Sequence, residues 1–255
     1  MPKRKLRFRR TTPREPALCG RLALITGANR GIGLEFVRQY SLAGWKVLAT
    51  ARNPQRPTDL ATLAAAHKNI TLHELDITRE NSILDLSTQL NGKPIDLLIH
   101  NSGIYPRKGT RIGELDYHAW RDTIETNLFG TMKVTEGLLP NVAASHRKQI
   151  AAISSTMGSI GATSHESIQG SGAAYQYRTS KAALNMAMVV LAQELAPRGF
   201  NVVILCPGWV KTDMGGPAAA ITTEQSVSGM RKILEKPAAE ISGKFFSYDG
   251  ARRPW

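Results

Sequence analysis

The chain has 255 residues, 42% of them hydrophobic and 21% charged, with a formal net charge of +13. That is enough for one large α/β domain with a sizeable core, and the composition excludes a low-complexity or fibrous chain. No uninterrupted apolar run reaches membrane-spanning length, so no transmembrane helix is expected. The two cysteines, Cys19 and Cys206, give no disulfide framework and point to a reducing, cytoplasmic compartment.

The charge is uneven. Lys3, Arg4, Lys5, Arg7, Arg9, Arg10 and Arg14 face only Glu15 in the first sixteen residues. Residues 1–19 are expected to be a disordered basic extension, with a mitochondrial transit peptide as the alternative. A single domain is expected over residues 20–255. Arg21–Thr26 is a short apolar strand. It runs into Gly27-Ala28-Asn29-Arg30-Gly31-Ile32-Gly33 and an amphipathic helix to about Leu42. Strand, glycine loop and helix is the layout in which backbone N–H groups receive a pyrophosphate. Lys46–Ala51 reads as the second strand. A carboxylate at its end would hold a ribose 2′-hydroxyl; Ala51 and Arg52 stand there instead. A guanidinium can hold a 2′-phosphate, and Arg30 adds a second charge, so NADP(H) is expected over NAD(H).

Thr58–His67 reads as a helix and Ile70–Leu75 as a strand ending at Asp76-Ile77, with helix signals then running to Leu90. Ile95–His100 is a continuous apolar strand of the buried parallel type, closed by Asn101-Ser102-Gly103. Asp116 to about Asn141 reads as one long helix with Asn127 at its middle. Ile150–Ser154 is a fifth strand, followed by a Gly/Ser-rich loop over Gly158–Gly172. A helix carrying Tyr177 is stopped by Pro197 and Gly199. Asn201–Cys206 is a sixth strand leading to Pro207-Gly208. Thr222-Thr223-Glu224-Gln225 opens a helix to Leu234 with a capping box, and Gly243–Tyr248 is a last strand. Alternating β and α elements predict an α/β fold: one doubly wound parallel sheet in a Rossmann-like three-layer α/β/α arrangement. Gly27, Arg52, Asp76, Asn101, Ser155 and Pro207 all fall at C-terminal strand ends, where such sheets bind ligands.

Tyr177 and Lys181 are one helical turn apart and project from one face. An ammonium about 4 Å from a phenol stabilises the phenolate by roughly 4 kcal/mol at an effective dielectric of about 20. That would bring the tyrosine down about three units towards neutrality, where general acid–base catalysis operates. The histidines show no metal spacing, so no metal is expected.

Thr26-Gly27-(three)-Gly31-Ile32-Gly33, Asn101-Ser102-Gly103, Ser155, Tyr177-(three)-Lys181 and Pro207-Gly208 together resemble the classical short-chain dehydrogenases/reductases over residues 20–255. Tyr177-Arg178-Thr179-Ser180-Lys181-Ala182-Ala183-Leu184-Asn185-Met186, Trp209–Gly216 and Pro254-Trp255 resemble the C-factor/sniffer-like carbonyl reductase branch. The resemblance implies NADP(H)-dependent reduction of a ketone or aldehyde, or the reverse. Tyr177 would be the general acid. Lys181 would lower its pKa and hold the nicotinamide ribose. Ser155, or its neighbour Ser154, would orient the substrate oxygen. Asn127 would hold a relay water.

For the cofactor, the resemblance implies Gly27, Asn29, Arg30, Gly31, Ile32 and Gly33 at the phosphates, and Asp76 and Ile77 beside the adenine. Asn101, Ser102 and Gly103 would lie along the ribose, and Pro207, Gly208, Val210 and Thr212 over the nicotinamide. Ile104, Tyr105, Ser159, Ile160, Trp209 and Met214 are candidate pocket walls, a hint of an apolar or aromatic carbonyl. Two departures stand out. His100 replaces the family's usual first Asn before Asn101, and the interval from Ser155 to Tyr177 is long, which suggests a substrate-side loop at about Ser159–Ala173. The family implies a homodimer or homotetramer. A non-catalytic dinucleotide-binding signalling or redox-sensing protein is the alternative function. Nucleic-acid binding through the tail is not expected, because interleaved aromatics and a reading motif are missing.

Overall fold

Strand β1, Leu22–Ile25, is buried along its whole length, and so is β4, Leu97–His100. Such strands read as apolar runs because both faces of a parallel sheet are covered by helices. The computed structural model describes residues 20–56, 58–106, 111–164 and 173–255. The basic stretch 1–19 and much of the Gly/Ser-rich loop lie outside these.

After β1 come α1 (Gly31–Leu42), β2 (Lys46–Ala51), α2 (Asp59–Ala66), β3 (Ile70–Glu74) and α3 (Glu80–Gln89), then β4. The second half comprises α4 (Tyr117–Ile124), α5 (Thr131–Ala143), β5 (Gln149–Ile153), α6 (Ile160–Thr163), α7 (Tyr175–Leu195), β6 (Asn201–Cys206), α8 (Thr223–Leu234), α9 (Ala238–Ile241) and β7 (Lys244–Ser247). The seven strands form one parallel sheet in the order β3-β2-β1-β4-β5-β6-β7. The chain reverses its direction of travel across the sheet between β1 and β4, which opens a crevice at their C-terminal ends.

Alternation along the strands divides the core into two layers. Leu24, Leu98, Ile150 and Ile204 pack against Leu86 of α3, Leu138 of α5 and Leu184 and Met188 of α7. Ile25, Ile99, Ala151 and Leu205 face Phe36 and Tyr40 of α1 and Val227 and Met230 of α8. The capping box at Thr222 and Gln225 is present as expected.

Three features differ from the expectation. The long helix is interrupted by a π-helical turn at Glu125–Gly130, with Asn127 inside it. Asp116 caps α4 by accepting from the backbone of His118 and Ala119. The stretch after Ser155 is not all loop: it forms a 3₁₀ turn, Thr156–Gly158, and the short α6.

Candidate active site

The glycine loop joins β1 to α1. Gly27 adopts φ +64, a conformation L side chains rarely take. A Cβ on Gly33 would lie 2.3 Å from the Gly27 carbonyl oxygen, so helix and strand approach closely only with glycine there. Arg30 precedes α1 without capping it through its side chain, and the first turn carries no acid. The first N–H groups of α1 are therefore left for an anion. Asn29 and Arg30 are exposed beside them.

Thr26 organises the floor. Its buried hydroxyl accepts from the backbone N–H groups of Asn101 (3.0 Å) and Ser102 (3.1 Å). The Asn101 amide donates to the carbonyls of Thr26 and Gly27, both at 3.0 Å. Asn101 thus pins the glycine loop to the end of β4. The role of Thr26 was missed; a hydroxyl residue directly before the first glycine was the available signal.

Arg52 stands exposed just past β2, close enough to Asp76 to influence its titration. Burial alone would raise the Asp76 pKa. Hydrogen bonds from Thr78 and the charges of Arg52 and Arg79 outweigh it and hold the carboxyl below its usual range. The Ile77 side chain is core, packed where a Cβ on Gly130 would come within 2.9 Å.

On the other side, Tyr177 and Lys181 rise from the first turns of α7, both buried. Lys181 donates to the Ile153 carbonyl at 2.8 Å, and its Nζ lies 5.7 Å from the Tyr177 ring centroid. Burial brings the lysine down to about 8. The tyrosine goes the other way. Burial pushes its pKa well above the usual phenol value, and a hydrogen bond with Ser155 opposes that only in part. Burial outweighs the depression expected from Lys181, because a buried phenolate is costly.

Ser155 is half-buried, and its Oγ accepts from Met157 N at 3.1 Å. Ser154 is buried and donates instead to Asn185 Oδ1, whereas Ser155 is the hydroxyl beside Tyr177. Asn127 is fully buried. Its Oδ1 accepts from Ile104 N (2.8 Å), and its Nδ2 donates to Ile104 O and Ser180 Oγ, each at 3.0 Å. The side chain braces the strand β4 exit. Gly103 lies between the two groups: a Cβ there would sit 3.2 Å from Asn127 Oδ1 and 3.6 Å from Lys181 Nζ.

The segment after β6 lies over the glycine loop. A Cβ on Gly31 would be 3.2 Å from Thr212 Cγ2, and Arg30 and Asp213 form an ion pair at 2.7 Å. Pro207 accepts from Ser226 at 2.6 Å, Gly208 takes φ +81, and buried Val210 bridges to Ile221. Thr212 Oγ1 accepts from Gly215 N at 3.1 Å.

Among the pocket candidates, Tyr105 meets Tyr177 edge-on with centroids 4.7 Å apart. Ile104, Ile160, Trp209 and Met214 are exposed apolar side chains. Ser159 is a correction. It is 1% exposed, caps α6 and donates to the carbonyls of Pro254 and Trp255, so it anchors the chain's last residues rather than lining a pocket. No group of three or more His, Cys, Asp or Glu suited to a metal ion occurs among the described residues.

A dinucleotide crevice beside a Ser–Tyr–Lys cluster defines an oxidoreductase of the Rossmann type. Residues 21–221 match the family described as short chain dehydrogenase, and the chain belongs to it. Its likeness is to the carbonyl reductase branch. It is 35% identical to the NADPH-bound carbonyl reductase from chicken fatty liver, with a TM-score of 0.85 over 93% of this chain and 100% of that one. It is 30% identical to carbonyl reductase Sniffer of D. melanogaster, with a TM-score of 0.83 over 93% and 100%. The C-signal protein of Myxococcus xanthus is 40% identical over 162 residues, 64% of this chain and 93% of that protein.

Proposed function

We propose that this chain is an NADP(H)-dependent carbonyl reductase that converts a ketone or aldehyde to an alcohol. The observation that carries the reading is the pairing of the buried Tyr177 phenol with Ser155, with Lys181 one turn along the same helix. The glycine cradle fits a dinucleotide. Gly31, Ile32 and Gly33 would hold the pyrophosphate, Arg30 and Arg52 a 2′-phosphate, and Asp76 the adenine edge. When bound, the reduced nicotinamide supplies the hydride.

The residues supply the rest. Ser155 donates a hydrogen bond to the carbonyl oxygen, and Tyr177 passes it the proton as the alkoxide forms. The raised phenol pKa keeps Tyr177 protonated before reaction. At neutral pH Lys181, near 8, is mostly charged and offsets the phenolate left behind. Tyr105 against Tyr177, with exposed Ile104 next to Tyr105 in the chain, favours an apolar or aromatic substrate. Exposed Tyr117 and Phe129 on the α4–π segment and Met186 and Val190 on α7 support a homo-oligomer.

NADPH oxidation measured against ketones, aldehydes and quinones tests the reading, with turnover expected for at least one apolar aromatic carbonyl. The likeness to C-signal supports one competing reading, a non-catalytic dinucleotide-binding protein with a signalling or redox-sensing role. Tight NADPH binding with no oxidation across the panel would select it.

A further inference from the structure

We propose that Asn185 is a positioning residue for Ser155, setting the distance between that hydroxyl and the Tyr177 phenol. The proposal rests on the reading of Ser155 as the group that holds the substrate oxygen.

Ser155 and Tyr177 come from different elements, the end of β5 and the start of α7. Their separation depends on how the β5 exit docks against α7. Asn185, two turns beyond Tyr177, is 4% exposed and holds that exit on both sides of Ser155. Its Oδ1 accepts from Ser154 Oγ at 2.5 Å, and its Nδ2 donates to the Gly158 carbonyl at 3.2 Å. A carbonyl can only accept, so the amide has one orientation that satisfies both partners. Between the two contacts the chain is pressed onto the helix: a Cβ on Gly158 would come within 2.7 Å of the Lys181 main chain. On the far side, Cys206 Sγ accepts from Thr156 N at 3.3 Å. Ser155 itself spends no bond on α7 beyond its contact with Tyr177, so its placement is delegated to its neighbours. Without Asn185, Ser154 Oγ and Gly158 O would be buried and unpaired, and the turn would shift to recover partners. A displacement of about 1 Å costs on the order of 100-fold in rate.

The test compares Asn185→Ala, Asn185→Leu, Ser154→Ala and the Ser154→Ala/Asn185→Ala pair. NADPH affinity and kcat per bound cofactor are measured on folded protein. The expected result is a kcat about 10- to 100-fold lower for the Asn185 variants, NADPH affinity within about twofold of wild type, and a double variant no worse than Asn185→Ala alone. Unchanged kcat per bound cofactor, even with a lower melting temperature, would reduce Asn185 to a structural residue and overturn the proposal. If the wild-type protein turns over no carbonyl, the proposed function fails separately. Crystal structures of wild type and Asn185→Ala then decide the positioning claim, with a displaced Ser155 Oγ expected and an unmoved one overturning it.

Discussion

The two sides of the crevice are built by opposite means. The β1–α1 side is a main-chain surface: glycines that admit a close approach, free helix N–H groups and a hydroxyl, Thr26, that collects backbone donors. The β5–α7 side is a buried side-chain network in which Asn127, Ser154, Ser180 and Lys181 each bond to a group distant in sequence. A main-chain surface binds without rearranging, because its donors are fixed by the fold. A side-chain network can tune acidity, because burial and partners act on groups that titrate.

Substitutions can separate the sides, and the largest effect should fall on chemistry alone. Tyr177→Phe should lower kcat by about 100- to 10,000-fold while NADPH still binds, as read by steady-state turnover beside a cofactor titration. Gly33→Ala attacks the other side. Its new methyl must move the Gly27 carbonyl, so NADPH affinity should collapse and thermal unfolding should show a loss of about 1–3 kcal/mol. Arg52→Asp sharpens the contrast. It should weaken NADPH by about 10- to 100-fold and leave NADH and the carbonyl's KM nearly unchanged, and equal effects on both cofactors would remove the 2′-phosphate assignment.

The smallest effect belongs to the floor between the sides. His100 is buried, and burial brings its pKa down to about 3. Thr135 Oγ1 already donates to Thr131 O, so the hydrogen on the imidazole Nε2 points to Thr135. The unfolded imidazole takes up its proton below about pH 6.5, and the folded one only near 3. Acid therefore binds the unfolded chain preferentially, and stability should fall as pH drops below 6.5, by up to about 1.4 kcal/mol per unit. Denaturant midpoints between pH 7 and 5 should show a shallower decline for His100→Asn.

The main-chain side was legible because glycine spacing between a strand and a helix has one common use, and the parallel sheet followed from alternation. Tyr177, Lys181 and Ser155 were legible through the motifs of the family. What the sequence concealed was the partner of each buried group. Nothing in the spacing of Asn127 says that its amide closes on Ile104, or that Ser159 holds Pro254 rather than a substrate, because both contacts join segments far apart in the chain. The acidity of Tyr177 was misjudged for the same reason. Proximity to Lys181 could be inferred, whereas the burial that outweighs it belongs to the assembled core.

The π turn at Glu125–Gly130 makes length, more than identity, the constrained quantity in its helix. Each residue of an α-helix advances the face by about 100°. The wide turn takes up one residue more than a regular ladder would, and so resets the phase between α4 and α5. Removing a single residue there would let the ladder close as regular α-helix, and the displaced Asn127 would lose its bonds to the Ile104 main chain. Insertions and deletions in this stretch should therefore be far more damaging than most replacements.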